Sequence, residues 1–106
     1  MKSNPLQQLV QDQLDDISAL KCRRMFGGFG LYAGEAFFGL IHQDSLYFRT
    51  DAQTKKRYEE SGSTFFTAPG SNKPLKHYYE VPLSVIEHKN ELMEWAREAI
   101  AVAAAA

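Results

Sequence analysis

The sequence predicts an α+β fold, a two-layer α/β sandwich in which an antiparallel sheet of about five strands carries helices on one face. Three observations predict it. Apolar residues near both ends recur at spacings of three and four, as on one face of a helix. Between them, short runs rich in Phe, Tyr, Leu and Ile are separated by brief glycine-containing or polar turns, the mark of an antiparallel meander. The chain has 106 residues, 44% apolar and 24% charged, which suits one compact domain spanning 1–106 and is too short for two.

The elements follow in order. Asn4 serves as N-cap of a first helix, with Pro5 at the first helical position and Gln7 three residues after the cap. Leu6, Leu9, Val10, Leu14, Ile17 and Leu20 continue its apolar stripe for about five turns. After Arg24 the pattern changes. Met25–Tyr32 reads as a strand, Gly34-Glu35 as a turn, Ala36–His42 as a second strand, Gln43-Asp44-Ser45 as a turn, and Leu46–Arg49 as a third strand. Thr50, with Gln53 three residues on, resembles the N-cap of a short polar helix over Asp51–Glu60, and Gly62 stops it. Ser63–Thr67 is strand-like, Ala68–Lys76 holds two Pro and reads as a loop, and His77–Val81 is a last strand ended by Pro82. The final helix starts near Lys89 and buries Leu92, Trp95, Ala96, Ala99 and Ile100. Its tail, 101–106, has high helix propensity but little to anchor it and is expected to fray. The predicted order is α-β-β-β-α-β-β-α.

Composition excludes several function classes. Twelve Lys and Arg against 13 Asp and Glu give a net charge of −1, whereas autonomous DNA-binding domains are usually clearly basic. One cysteine, Cys22, excludes an intramolecular disulfide and a Cys-rich zinc site and fits a reducing compartment. The amphipathic start lacks the apolar core of a signal peptide, and no run reaches the ~18 apolar residues of a membrane span. A cytoplasmic location without membrane contact is expected.

No motif carries catalysis. Gly28-Phe29-Gly30-Leu31-Tyr32-Ala33 matches the dinucleotide pattern in letters, but that mechanism needs a strand before it and a helix after it. Here strands follow, so the glycines are expected to serve packing. Cys22 lies beside Lys21, Arg23 and Arg24, a setting that can lower a thiol pKa, yet no spacing ties His42, His77 or His88 to it as a base. The plainer reading is an inert thiol at a helix end, with the neighbouring cations suiting a helix C-terminus. The histidines show no metal-ligand spacing, so neither metal nor cofactor is expected and the protein is not expected to be an enzyme.

Basic residues gather at Lys21/Arg23/Arg24, Lys55/Lys56/Arg57 and Lys73/Lys76, and Tyr47, Phe48, Tyr78 and Tyr79 lie on nearby strands. Brought together, they would form a surface for single-stranded nucleic acid. Taken singly, Lys55/Glu59 and Lys56/Glu60 are i,i+4 pairs on a solvated helix face, and alternating aromatics are usually core. Arg23, Arg24, Lys55, Lys56, Arg57 and Tyr78 are the candidate partner-binding residues. A homodimer is also plausible, since an antiparallel sheet with one helical layer leaves a second face to cover.

Arg23-Arg24-Met25-Phe26-Gly27-Gly28-Phe29-Gly30-Leu31-Tyr32 is the most distinctive segment. It resembles the opening signature of the N-terminal domain of the TfoX/Sxy family of bacterial competence regulators. Phe37-Phe38-Gly39-Leu40-Ile41, Leu46-Tyr47-Phe48-Arg49-Thr50 and His77-Tyr78-Tyr79-Glu80-Val81-Pro82 are similar to later strands of that domain, and Leu92, Trp95 and Ala96 to its last helix. The resemblance spans nearly the whole chain and implies a two-layer α/β sandwich. It also implies a non-enzymatic regulatory or adaptor domain acting through a protein partner in transcription control, such as the cyclic-AMP receptor protein. Full-length members add a C-terminal helical domain, and this sequence is expected to be the N-terminal domain without it. The resemblance supplies no catalytic residues. Direct nucleic-acid binding is the alternative, and a small-molecule-binding domain or an enzyme comes third.

Overall fold

The computed structural model describes residues 5–25, 27–67 and 74–106. The elements are α1 (Pro5–Gln13), β1 (Leu20–Met25), β2 (Gly28–Ala33), β3 (Ala36–His42), β4 (Ser45–Arg49), α2 (Lys55–Glu60), β5 (Phe65–Thr67), β6 (Pro74–Glu80), α3 (Leu83–Ile86) and α4 (Lys89–Ala105). The strands form one antiparallel six-stranded sheet in the order β1-β2-β3-β4-β6-β5. This is the expected α+β sandwich with an added strand, β1, and an added single-turn helix, α3.

The added strand comes out of the expected first helix. That helix stops at Gln13 rather than near Leu20. Asp15 and Asp16 follow, and negative charge is unfavourable at the negative end of a helix dipole. Ala19 then turns the chain with φ +57. Leu14 is buried from the turn, and Ile17 and Leu20 pack against the same core. Leu6, Val10, Leu14, Ile17 and Leu20 of the stripe are therefore inward as expected, with a turn and a strand placing the last of them, but Leu9 is exposed at 37%. Lys21, Arg23 and Arg24 decorate a sheet edge, where charge blunts unwanted pairing, and do not end a helix. Asn4, the expected cap, lies outside the described residues.

Tight hairpins set the meander. Met25 pairs with Gly28, Ala33 with Ala36, and His42 with Ser45, so each turn holds two residues. Gly27 and Gln43 supply the left-handed backbone these turns need, with φ +75 and +56. After β4, Thr50 does not cap α2. Its buried hydroxyl donates to the His77 carbonyl at 3.0 Å and ties β4 to β6. Asp51 takes the capping role: its carboxylate accepts from the N–H groups of Gln53 (2.9 Å) and Thr54 (2.8 Å). Those bonds form a turn first, so α2 begins only at Lys55. Strand β6 opens at Pro74, three residues earlier than expected and opposite Thr67. A proline is tolerated at the first residue of a strand. Residues 68–73 of the expected loop lie outside the described residues. The last helix continues to Ala105, through the tail for which fraying was expected.

Alternation splits the sheet into two unlike faces. One face is sealed by the helices. Val10 and Leu14, Tyr58 of α2, Val85 and Ile86 of α3, and Leu92, Trp95, Ala96 and Ala99 of α4 pack with Leu31, Phe38, Ile41, Leu46 and Phe48 in one cluster. Helix α4 lies across β3 and β4. Burying one such side chain, Leu92, contributes roughly 1.5–3 kcal/mol. The other face carries a smaller cluster, Leu40, Phe66 and Tyr78, with Phe37, Tyr47 and Leu75 partly buried against it. Among the described residues no helix contributes to that cluster.

Candidate functional site

The uncovered face is built by side chains one position out of step with the core. Leu46 and Phe48 point into the core, so Tyr47 and Arg49 point away from it. Tyr79 points in and Tyr78 out. In β2, Leu31 faces the core and Tyr32 the other side. In β1, Cys22 packs on the helical side, which turns Lys21 and Arg23 onto the open face.

These side chains join into a ladder across the sheet. The Arg23 guanidinium lies over the Tyr32 ring at 5.5 Å. Tyr32 stacks on Phe37 at 5.1 Å, and Phe37 meets Tyr78 at 5.2 Å. Arg49 lies over the Tyr78 ring at 5.6 Å. The Tyr78 hydroxyl donates to the Phe37 carbonyl at 3.4 Å, pinning β6 to β3. Beyond it, Phe66 packs edge-on against Tyr47 at 4.9 Å and reaches His42 at 5.4 Å, so the β5–β6 hairpin covers one end of the face. Burial pushes the Tyr47 hydroxyl above its ordinary pKa. Glu80 is the acidic neighbour of Tyr47 and accepts from the Ser45 hydroxyl at 3.1 Å. Each cation–ring contact is worth about 0.5–1 kcal/mol where exposed. The ladder therefore holds two guanidinium groups against aromatic rings of the open face, where they cost little further side-chain entropy to engage an acid.

The candidate residues do not converge. Arg23 and Arg24 are sequence neighbours on a strand and point to opposite faces. Arg24 lies over Phe29, which packs on the helical side, at 5.8 Å. Lys55, Lys56 and Arg57 sit on α2, which packs near β6. Strand β6 is four strands from β1, roughly 19 Å at the usual strand spacing. Arg57 is engaged internally: it lies over the Trp95 ring at 5.0 Å and pairs with Glu98 at 3.6 Å. Among the described residues neither expected i,i+4 pair of α2 closes, and Glu59 instead accepts from the Tyr79 hydroxyl at 3.3 Å. Tyr78 belongs to the ladder but is only 6% exposed, so it supports the surface more than it offers contact. Of the four expected stacking aromatics, Tyr47 and Tyr78 lie on the open face while Phe48 and Tyr79 lie in the core. Lys73 lies outside the described residues.

The remaining chemistry is quiet. Cys22 is on a strand, not at a helix end. Burial pushes its thiol above the ordinary value, against a smaller opposing effect of the Gln7 amide, which donates to the sulfur at 3.6 Å. The glycine-rich pattern lies along β2 with no helix after it. Among the described residues no group of three His, Cys, Asp or Glu is placed to hold a metal ion. None of their helices is long and apolar enough to cross a membrane. Depressions of about 450 and 370 Å³ adjoin each other beside Asp51 and His77. Lys55 and Lys76 line the first and Arg49 the second, and neither gathers a nucleophile with a base.

Tyr32, Phe37 and Arg49 are the surface residues that sequence reasoning missed. The signal was present, because the strand assigned to Leu46–Arg49 already places Tyr47 with Arg49 on the side opposite Leu46 and Phe48. Without β1, however, nothing showed that Arg23 shares their face.

Fold and surface together define a two-layer α+β domain with one helical face and one open face of arginine-capped aromatics. Residues 12–103 match the TfoX N-terminal domain, most of the chain, and the chain belongs to that family, one of competence-related regulatory domains. No curated protein matches it.

Proposed function

We propose that this domain is a non-enzymatic adaptor that docks a protein partner in transcription control through the β1 side of its open sheet face. The observation that carries the reading is the ladder from Arg23 to Arg49, which presents two oriented guanidinium groups beside half-buried aromatics. Aromatic and Arg side chains of this kind anchor protein interfaces. Family membership supports the regulatory role, and a transcription factor such as the cyclic-AMP receptor protein is the partner to test first.

A second reading, direct nucleic-acid binding, draws on Lys21, Arg23 and Arg49 sharing one face. It is the weaker because the rings that would stack bases already engage each other and the arginines.

The test immobilises the domain in nuclease-treated lysate of the native host and identifies captured proteins, alongside a titration with purified cyclic-AMP receptor protein. The expected result is a specific transcription protein, lost with Arg23→Glu and kept with Lys56→Glu, while both variants melt near the parent temperature. Capture indifferent to Arg23, or binding only to nucleic acid with steep salt dependence, overturns the reading.

A further inference from the structure

Strand β1 is an edge of the sheet, and its hydrogen-bonding phase is fixed. Gly34 N–H donates to the Ala19 carbonyl at 3.0 Å, and the register pairs Lys21 with Tyr32 and Arg23 with Gly30. In an antiparallel ladder, bonded and non-bonded pairs alternate. Ala19, Lys21 and Arg23 therefore turn their backbone groups toward β2, and Leu20 and Cys22 turn theirs outward. Among the described residues, no backbone bond outside the strand ladder reaches the N–H or C=O of Leu20 or Cys22.

The side chains say what would pair there. Lys21 and Arg23 stand two residues apart on the open side, while Leu20 and Cys22 are half-buried on the helical side. A second copy of β1 is a poor occupant. A two-fold antiparallel pairing centred on Cys22 sets Lys21 opposite Arg23, and one centred on Lys21 or Arg23 sets that cation opposite itself. Like charges directly opposite destabilise a sheet. An extended segment with acidic residues at alternate positions meets Lys21 and Arg23 on one face, and its apolar residues meet Leu20 and Cys22 on the other.

We propose that the β1 edge accepts an acidic, amphipathic extended segment of a protein partner as a seventh, antiparallel strand of the sheet. This deepens the adaptor reading and rests on it. Main-chain bonds to Leu20 and Cys22 supply affinity, as in other strand additions, and Lys21 and Arg23 select acidic partners.

The test titrates the full chain with a fluorescent peptide of alternating glutamate and valine, about eight residues long. Controls are the lysine–valine peptide, the acidic peptide N-methylated at alternate valines, the one methylated at alternate glutamates, and single-stranded DNA. The expected result is saturable binding of the acidic peptide that weakens with salt and is absent for the lysine peptide. The peptide methylated at alternate valines should weaken by about tenfold or more, since the valines opposite Leu20 and Cys22 turn their N–H groups to the edge, and the peptide methylated at alternate glutamates should bind like the parent. Amide exchange at Leu20 and Cys22 should slow on binding, while Arg23, already bonded to β2, stays unchanged. Cys22→Pro, which removes an outward N–H, should also weaken binding, and the methylated peptides give the same information should that variant not fold. No binding below about a millimolar, equal binding of all four peptides, or slowed exchange elsewhere only, overturns strand addition. So does binding of DNA with no acidic-peptide binding. Partner capture that depends on Arg23 without any slowing at Leu20 and Cys22 defeats strand addition alone and leaves the adaptor reading standing.

Discussion

Tyr58 is 1% exposed, and its hydroxyl has no hydrogen-bond partner among the described residues. It is held for its ring, which packs edge-on against Trp95 at 4.8 Å. Burial, and then the Glu98 carboxylate, push the phenol far above its ordinary value, and Arg57 offsets only part of this. The folded pKa is raised, so the contribution is complete below the unfolded value near ~10 and is lost as pH rises from there toward the folded pKa. Tyr58→Phe removes the unpaired hydroxyl and keeps the ring. It is expected to be neutral or stabilising by up to about 1 kcal/mol at pH 7, and to move alkaline unfolding to higher pH. Urea denaturation at pH 7 and at pH ~10.5 checks both parts. A clear loss at pH 7 would mean that the hydroxyl has a partner. The size and aromatic character of Tyr58 were legible in the sequence. Its lack of a hydrogen-bond partner was not, because that depends on which side chains of α4 arrive beside it.

Among the elements, β2 and β3 approach closely at Gly28. A Cβ on Gly28 would collide with the carbonyl of Ile41, a backbone atom that cannot swing aside. Gly28→Ala is therefore expected to cost about 1–3 kcal/mol by overpacking. Urea denaturation reads the cost, and faster amide exchange across the β1–β2 hairpin would place it. A cost under ~0.5 kcal/mol would show that β3 yields there. This explains the glycine-rich run that matches a nucleotide motif in letters: one glycine is needed for strand approach, and no helix follows. Turn chemistry made the β2–β3 and β3–β4 hairpins legible, whereas the hairpin between Met25 and Gly28 falls inside a segment read as one strand. The break after Gln13 was not legible, because Leu14, Ile17 and Leu20 keep helical spacing while a turn and a strand place them. Apolar spacing reports which residues go inward. It does not report which backbone path carries them there when a short helix, a turn and a strand satisfy the same spacing.

For the molecule as a whole, the contrast between the two sheet faces sets the energetics. Phe48 and Tyr47 are sequence neighbours, yet Phe48 is fully buried under the helices and Tyr47 is half-exposed on the open face. Phe48→Ala is expected to cost about 3–5 kcal/mol, a large share of the roughly 5–15 kcal/mol that holds such a domain together. Tyr47→Ala is expected to cost about 1 kcal/mol, mainly the contact with Phe66. Thermal melts of both variants check the asymmetry, and similar losses would mean that the open face is also structural core. The same asymmetry leaves Arg23 available at one end of the sheet and commits Arg57, which is partly exposed, to Trp95 and Glu98.

The sequence by itself determined the α+β class, the antiparallel meander, the inward residues of the last helix and the family resemblance. Each follows from local periodicity, turn chemistry or a contiguous signature, which need no knowledge of what packs where. Only the tertiary structure decided that β1 exists, that Arg23 and Arg24 face opposite ways, that Lys55–Arg57 stand apart from them, and that Arg49 joins Arg23 through three rings. These are relations between residues distant in sequence. Strand order and sheet pleat set them, and neither is written in the spacing of any one segment.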